Sequence, residues 1–256
     1  MSCVSSDLNE FVKKTYGQLW AKFDQALDTP GQLTCDLAAH DVLIEELGLT
    51  KGMKVLDVGS GSGETILRIA DKVGPMGKAV GIDFTQEAVK LGRAKTCNRK
   101  LEKIAEFHQA NALDLPFPDN MFDAVVSECT ISLVQDKQKV LNQMVRVLKF
   151  EGKVIMHDVI TWAPMPETIR NDKKLCVQCI GGAVSLKEMI KIMEAAGLRD
   201  IRTIDYSKRN FKSLGADVLT QALDISDDQE FQKVVEYIRR GGLGYALLIG
   251  TKSASF

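Results

Sequence analysis

The chain has 256 residues, 45% hydrophobic and 26% charged, the balance of a folded domain rather than a disordered one. Its 33 basic and 34 acidic residues nearly cancel, which argues against a broad nucleic-acid footprint, since that needs a basic excess. No apolar run reaches bilayer length, and the first seven residues lack the basic start and apolar core of a secretion signal, so a cytoplasmic protein with no membrane partner is expected.

Taken in chain order, 7–48 reads as helical, with apolar spacing at Phe11, Tyr16, Leu19, Trp20 and Phe23 and again at Leu37, Val42, Leu43 and Leu47. Asp28-Thr29-Pro30-Gly31 breaks that pattern and predicts a turn. From Met53 the texture changes to short apolar strands alternating with helical stretches. Strands are predicted at 53–58, 79–83, 104–108, 122–127 and 152–159, and helices at 64–73, 86–97 and 136–148. A helix at 185–196, a strand near 200–206, a helix at 228–239 and a strand at 243–250 complete the series. The reading is an α/β fold, a doubly wound, mostly parallel seven-stranded sheet with helices on both faces and an N-terminal helical cap. The chain divides on this reading into a cap at 1–48, an α/β core at 49–160 and a substrate-side completion at 161–256. The irregular stretch 160–184 is where substrate chemistry is expected, since long connections beyond a sheet carry it.

The sharpest motif is Val55-Leu56-Asp57-Val58-Gly59-Ser60-Gly61-Ser62-Gly63-Glu64, after a predicted strand and opening a predicted helix. Alternate glycines let a backbone turn tightly and pass against a ligand. A dinucleotide loop wants Gly-x-Gly-x-x-Gly with pyrophosphate at the helix start. Here the third glycine comes one residue early, and Glu64 in its place would repel a pyrophosphate. A cofactor with a cationic sulfonium and an amino-acid end, S-adenosylmethionine, suits the loop better. Asp83, twenty residues after Gly63, stands at a strand end where a carboxylate accepts ribose hydroxyls. Asn111-Ala112-Leu113-Asp114-Leu115-Pro116-Phe117 follows the third strand, where an amide can read an adenine edge. The cofactor-binding candidates are therefore Asp57, Gly59, Ser60, Gly61, Gly63, Asp83, Phe84, Asn111, Ala112 and Glu128.

These residues resemble the class I, Rossmann-like, S-adenosylmethionine-dependent methyltransferases across roughly 50–160, and more closely the arsenite methyltransferases. Glu128-Cys129-Thr130-Ile131-Ser132-Leu133 is similar to that family's Asn-Cys-Val-Ile-Asn-Leu segment, and Cys179-Ile180-Gly181-Gly182-Ala183 to its Cys-Leu-Gly-Gly-Ala segment. The resemblance implies that Cys129 and Cys179 bind trivalent arsenic as thiolates, with a small thiol or thioredoxin-type protein as reductant. Cys35 is the one candidate for an upstream family cysteine, although its flanks differ, and Cys176 is an addition to the pattern.

Soft arsenic favours thiolate ligands. A pyramidal thiolate complex leaves a lone pair for the methyl group, so the work is positioning, with no general base at arsenic. Cys129, Cys179, Cys176 and Cys35 are the catalytic candidates, and no resident metal is expected. A cytoplasmic chain is expected to keep its six cysteines mostly reduced. The competing readings stay open. Cys129 can equally fill core. Cys176-Val177-Gln178-Cys179 lacks the second pair or histidines of a zinc site. Cys3 and Cys97 read as incidental. Gly181-Gly182 reads as a tight turn, and Asp158 as a cap or an active-site hydrogen-bonder. Tyr16, Trp20 and Phe23 read as core, or as part of a helix that covers the cofactor cleft. A methyltransferase for a carbon, oxygen or sulfur atom of a small organic metabolite, a non-catalytic S-adenosylmethionine-binding or metalloid-sensing protein and a nucleotide-dependent oxidoreductase are the alternatives.

Overall fold

The computed structural model describes residues 6–23, 37–207 and 229–254. The Asp28-Thr29-Pro30-Gly31 turn, Cys3 and Cys35 lie outside these.

Two helices, α1 (Ser6–Phe23) and α2 (Leu37–Glu46), precede the alternating part. Then come β1 (Lys54–Val58), α3 (Glu64–Val73), β2 (Lys78–Asp83), α4 (Gln86–Asn98), β3 (Ala105–Gln109) and β4 (Phe122–Glu128). A short 3-10 turn at Ile131–Leu133 leads to α5 (Lys137–Val147) and the long β5 (Leu148–Thr161). The irregular stretch holds two one-turn helices, α6 (Glu167–Arg170) and α7 (Lys173–Cys176), and a two-residue β6 (Val184–Ser185). The chain continues with α8 (Leu186–Ala195), β7 (Leu198–Asp205), α9 (Gln229–Arg239) and β8 (Leu243–Lys252).

The strands order as β3-β2-β1-β4-β5-β8-β7, with β6 beside the end of β5. This seven-strand path is the expected sheet, and β6 is an eighth strand that two residues could not announce. β1 to β5 run parallel and β8 is antiparallel to both its neighbours. Alternation of side chains across each strand feeds two cores. Val55, Ala124 and Val126 join α2, α3 and α9 on one face. Leu56, Val58 and Val125 join α5 and α8 on the other. Among the described residues no helix is long and apolar enough to cross a membrane.

A parallel sheet brings its strand ends and following loops to one edge. The loop between β1 and α3 is locked there by Phe107 of β3, whose ring lies where Cβ atoms at Gly63, Gly81 and Gly92 would be. At Gly63 a Cβ would fall 2.3 Å from Phe107 Cζ, and φ is +89°. Gly63→Ala should therefore cost about 2–4 kcal/mol from left-handed strain plus overpacking. Denaturant unfolding checks this, and Phe107→Leu in the same chain should restore part of the loss.

Candidate functional site

Gly59 and Ser60 donate their backbone N–H groups to Ile82 O at 2.9 and 2.8 Å, folding the glycine loop back onto the end of β2. Asp83, which closes that strand, accepts from Gly61 N at 3.1 Å, and from Thr85 N and Oγ1 at 2.9 and 2.7 Å. Burial pushes its carboxyl up, and these hydrogen bonds pull it back. Asp57 is buried in β1 with Oδ1 unpartnered. Burial first, then the charges of Glu128 and Asp83, hold its carboxyl well above the ordinary range. The Ser60 hydroxyl is also buried and unpartnered.

Two features of the loop were not legible in its motif. The protein's own side chains crowd its glycines: a Cβ at Gly59, Gly61 or Gly63 would meet Thr130, Trp20 or Phe107. Glu64 is not a bare charge, because Lys95 of α4 pairs with it and also donates to Ser62 Oγ. Asn111 is exposed and its Oδ1 accepts from Leu113 N at 3.0 Å, so the carbonyl half of the amide is spent on its own turn. Ala112 is partly buried against the α5 core, and Phe84 against α1.

Glu128 ends β4 on the far side of the loop. Thr65 Oγ1 donates to it, and His40 Nδ1 of α2 lies 3.4 Å away. Burial acts to raise its carboxyl, but His40, Thr65 and the nearby His157 outweigh that and leave it below the ordinary range. His40 and Thr65 carried no signal in the sequence, since neither belongs to the loop motif.

The next residue, Cys129, leaves the strand with φ +47° and donates its N–H to His157 O at 2.8 Å. It is disulfide-bonded, an exception to the expectation of mostly reduced cysteines. Cys97, Cys176 and Cys179 are free thiols. Asp158 in β5 accepts from Ser132 N at 3.1 Å, so it anchors the 131–133 turn rather than capping a helix.

Cys179, also left-handed at φ +66°, comes over this turn and donates its thiol to Cys129 O at 3.3 Å. Burial and then the Asp158 charge push that thiol up to about 12, while Ser132, Tyr16 and Lys137 act in the opposite direction. Lys137 donates to Val134 O at 2.7 Å, and burial lowers its ammonium. The fold thus brings Cys129 and Cys179 together from 50 residues apart. Cys176 is turned elsewhere: its thiol donates to Arg170 O at 3.4 Å and packs with Leu8, Val12 and Val177. Cys35 lies outside the described residues. Gly181-Gly182 is a close approach, a Cβ at Gly182 falling 1.8 Å from Ser132 O. Among the described residues no three His, Cys, Asp or Glu side chains group to hold a metal ion.

α1 closes the site from above. Trp20 covers Gly61, and the Tyr16 hydroxyl donates to Val177 O at 3.0 Å, so one helix touches both the loop and the cysteine segment.

Two pH effects follow. The native chain keeps a proton on Asp57 that the unfolded chain releases near pH 3.9, so stability falls as pH rises from there through the raised native value. Asp57→Asn should remove that slope and raise Tm at pH 7, by roughly 2–4 °C per kcal/mol recovered, as calorimetry at several pH values would show. Iodoacetamide labelling of Cys179, read by peptide mass spectrometry, should keep climbing about tenfold per pH unit beyond pH 9, where ordinary thiols level off.

A methyltransferase-domain family profile matches residues 49–197. The arsenite methyltransferase of Halobacterium salinarum is 31% identical over 153 residues, which are 60% of this chain and 39% of that protein. The ubiquinone/menaquinone biosynthesis C-methyltransferase UbiE of Cronobacter sakazakii is 39% identical over 109 residues, 43% of each chain. The matches thus span about two fifths of these relatives' length. The crystal structure of an arsenic(III) S-adenosylmethionine methyltransferase from Chlamydomonas reinhardtii superposes with a TM-score of 0.60 at 23% identity, over 80% of this chain and 64% of that one, which shows the shared fold. With the profile covering more than half its length, the chain belongs to the methyltransferase-domain family.

Proposed function

We propose that this protein is an S-adenosylmethionine-dependent methyltransferase whose acceptor is trivalent arsenic held by the thiolates of Cys129 and Cys179. The observation that carries the reading is the meeting of those two cysteines, from separate segments, directly beyond the β4 end and beside the glycine loop. The arsenite methyltransferase relatives support it.

The cradle fits the cofactor. Asp83 at the β2 end would accept ribose hydroxyls, and the orphaned Asp57 Oδ1 and Ser60 hydroxyl are buried polar atoms that a ligand would satisfy. Glu128 adds an anion for the α-ammonium of the amino-acid end. The cofactor, when bound, supplies an electrophilic methyl on a cationic sulfonium. The chain's own part is to bind, orient and keep water out. Cys129 and Cys179 direct the acceptor, the 131–133 turn held by Asp158 sets their spacing, and α1 covers loop and cysteines together. No general base is required at arsenic. The Cys129 disulfide must be opened before that sulfur can ligate, which gives a small thiol or thioredoxin-type reductant its role.

A second reading, methyl transfer to carbon in a small organic acceptor, is favoured by the UbiE match. Both are tested with methyl-labelled S-adenosylmethionine, arsenite and excess thiol, alongside a panel of quinol and other organic acceptors. Labelled methylarsenic should form with the parent chain and fall by roughly 100-fold or more in Cys129→Ser and Cys179→Ser, since even outer-shell partners of a bound ion cost 10–100-fold. Cys97→Ser, on the exposed end of α4, should behave as the parent, and omission of thiol should silence all four. Label in an organic acceptor but not in arsenic would replace the first reading by the second.

A further inference from the structure

Glu128 puts a negative charge at the β4 end. The fold also builds a support for it. His40, brought in by α2, is only 2% exposed, and its Nδ1 is 3.4 Å from Glu128 Oε1. Beyond this ion-pair contact neither ring nitrogen has a hydrogen-bond partner among the described residues, so the Glu128 carboxylate is the polar group that the ring faces. Thr65, two residues after Gly63 at the start of α3, donates to the same carboxylate oxygen. Glu128 is the accessible member, its side chain 17% exposed while His40 is sealed behind it. Asp57, buried with an unpartnered Oδ1, lies on the neighbouring strand β1 and adds a second polar group beside the loop.

A buried imidazole without another partner is costly unless it serves the group it faces. We propose that His40 and Glu128 form a pair that recognises the α-ammonium group at the amino-acid end of S-adenosylmethionine, Glu128 making the contact and His40 acting as the positioning residue that fixes its carboxylate. This rests on the methyltransferase reading and is independent of the acceptor. A carboxylate attracts that ammonium by charge as well as by hydrogen bonding, so loss of the charge alone should be felt. His40 and Thr65 hold the carboxylate from two elements, and its orientation is set before the ligand arrives.

The test is calorimetric binding of three probes to the full, reduced chain. S-adenosylmethionine and S-adenosylhomocysteine carry the amino-acid end, and 5′-methylthioadenosine lacks it. Glu128→Gln keeps the shape and removes the charge. It should weaken the first two probes by roughly tenfold or more and leave 5′-methylthioadenosine within about twofold of the parent. His40→Leu should reproduce the same selective loss. His40→Asn, which keeps a donor near the position of Nδ1, should recover most of it, a rescue that a purely structural role would not give. An equal fall for all three probes, unchanged binding in Glu128→Gln, or a His40→Asn as weak as His40→Leu would overturn the proposal. If the parent chain binds none of the three, the cofactor reading itself fails. If it binds them and the variants do not discriminate, only the pair fails.

Discussion

Three carboxylates forced side by side are the constraint from which the rest of this site follows. Asp57, Asp83 and Glu128 sit on β1, β2 and β4, and the strand order places β1 between the other two. Parallel direction then delivers all three acids to one edge of the sheet. Asp57 and Asp83 are buried, and Asp57 feels the other two charges, which makes the corner costly without a cation or protons. The surroundings answer this unequally. Asp83 is braced by the loop and Thr85, Glu128 by Thr65 and His40, and Asp57 Oδ1 has no partner. An anionic corner of this kind is complementary to a positively charged nucleoside and hostile to a pyrophosphate. The preference first argued from the spacing of the glycines therefore has its physical seat in the acids around them.

The second organising element is α1, which joins what the sheet keeps apart. Its Trp20 rests on Gly61, and its Tyr16 reaches Val177, close enough to Cys179 for the phenol and thiol to influence each other. Leu8 and Val12 pack on Cys176 and Val177. Cys176, which resembled a partner for Cys179 in the sequence, thus belongs to the packing of the cover, apart from the Cys129–Cys179 contact.

Most of the framework was legible because its signals are local. Strand and helix periods, the glycine loop and the two cysteine segments are patterns within a dozen residues, and they fall on the predicted elements. What could not be read are meetings between distant segments. His40 looks like any polar residue of an amphipathic helix until α2 is docked beside β4. The i, i+3 spacing of Cys176 and Cys179 suggests a joint site, yet α7 ends between them and Cys179 turns left-handed, so their sulfurs enter different surroundings. Glu64 illustrates the same limit, its meaning depending on Lys95 from the next helix. The fold by itself does not choose the chemistry, since one framework serves many acceptors.

Cys129 and Cys179 share a backbone trait with a consequence for how such a site can change over time. Both occupy the left-handed region, where a side chain carries about 1–2 kcal/mol of strain that glycine would relieve. Selection for robustness alone would erode both sulfurs, because the substitution most welcome to the backbone removes the side chain. On the proposed function, the two cysteines mark a place where stability and chemistry pull in opposite directions.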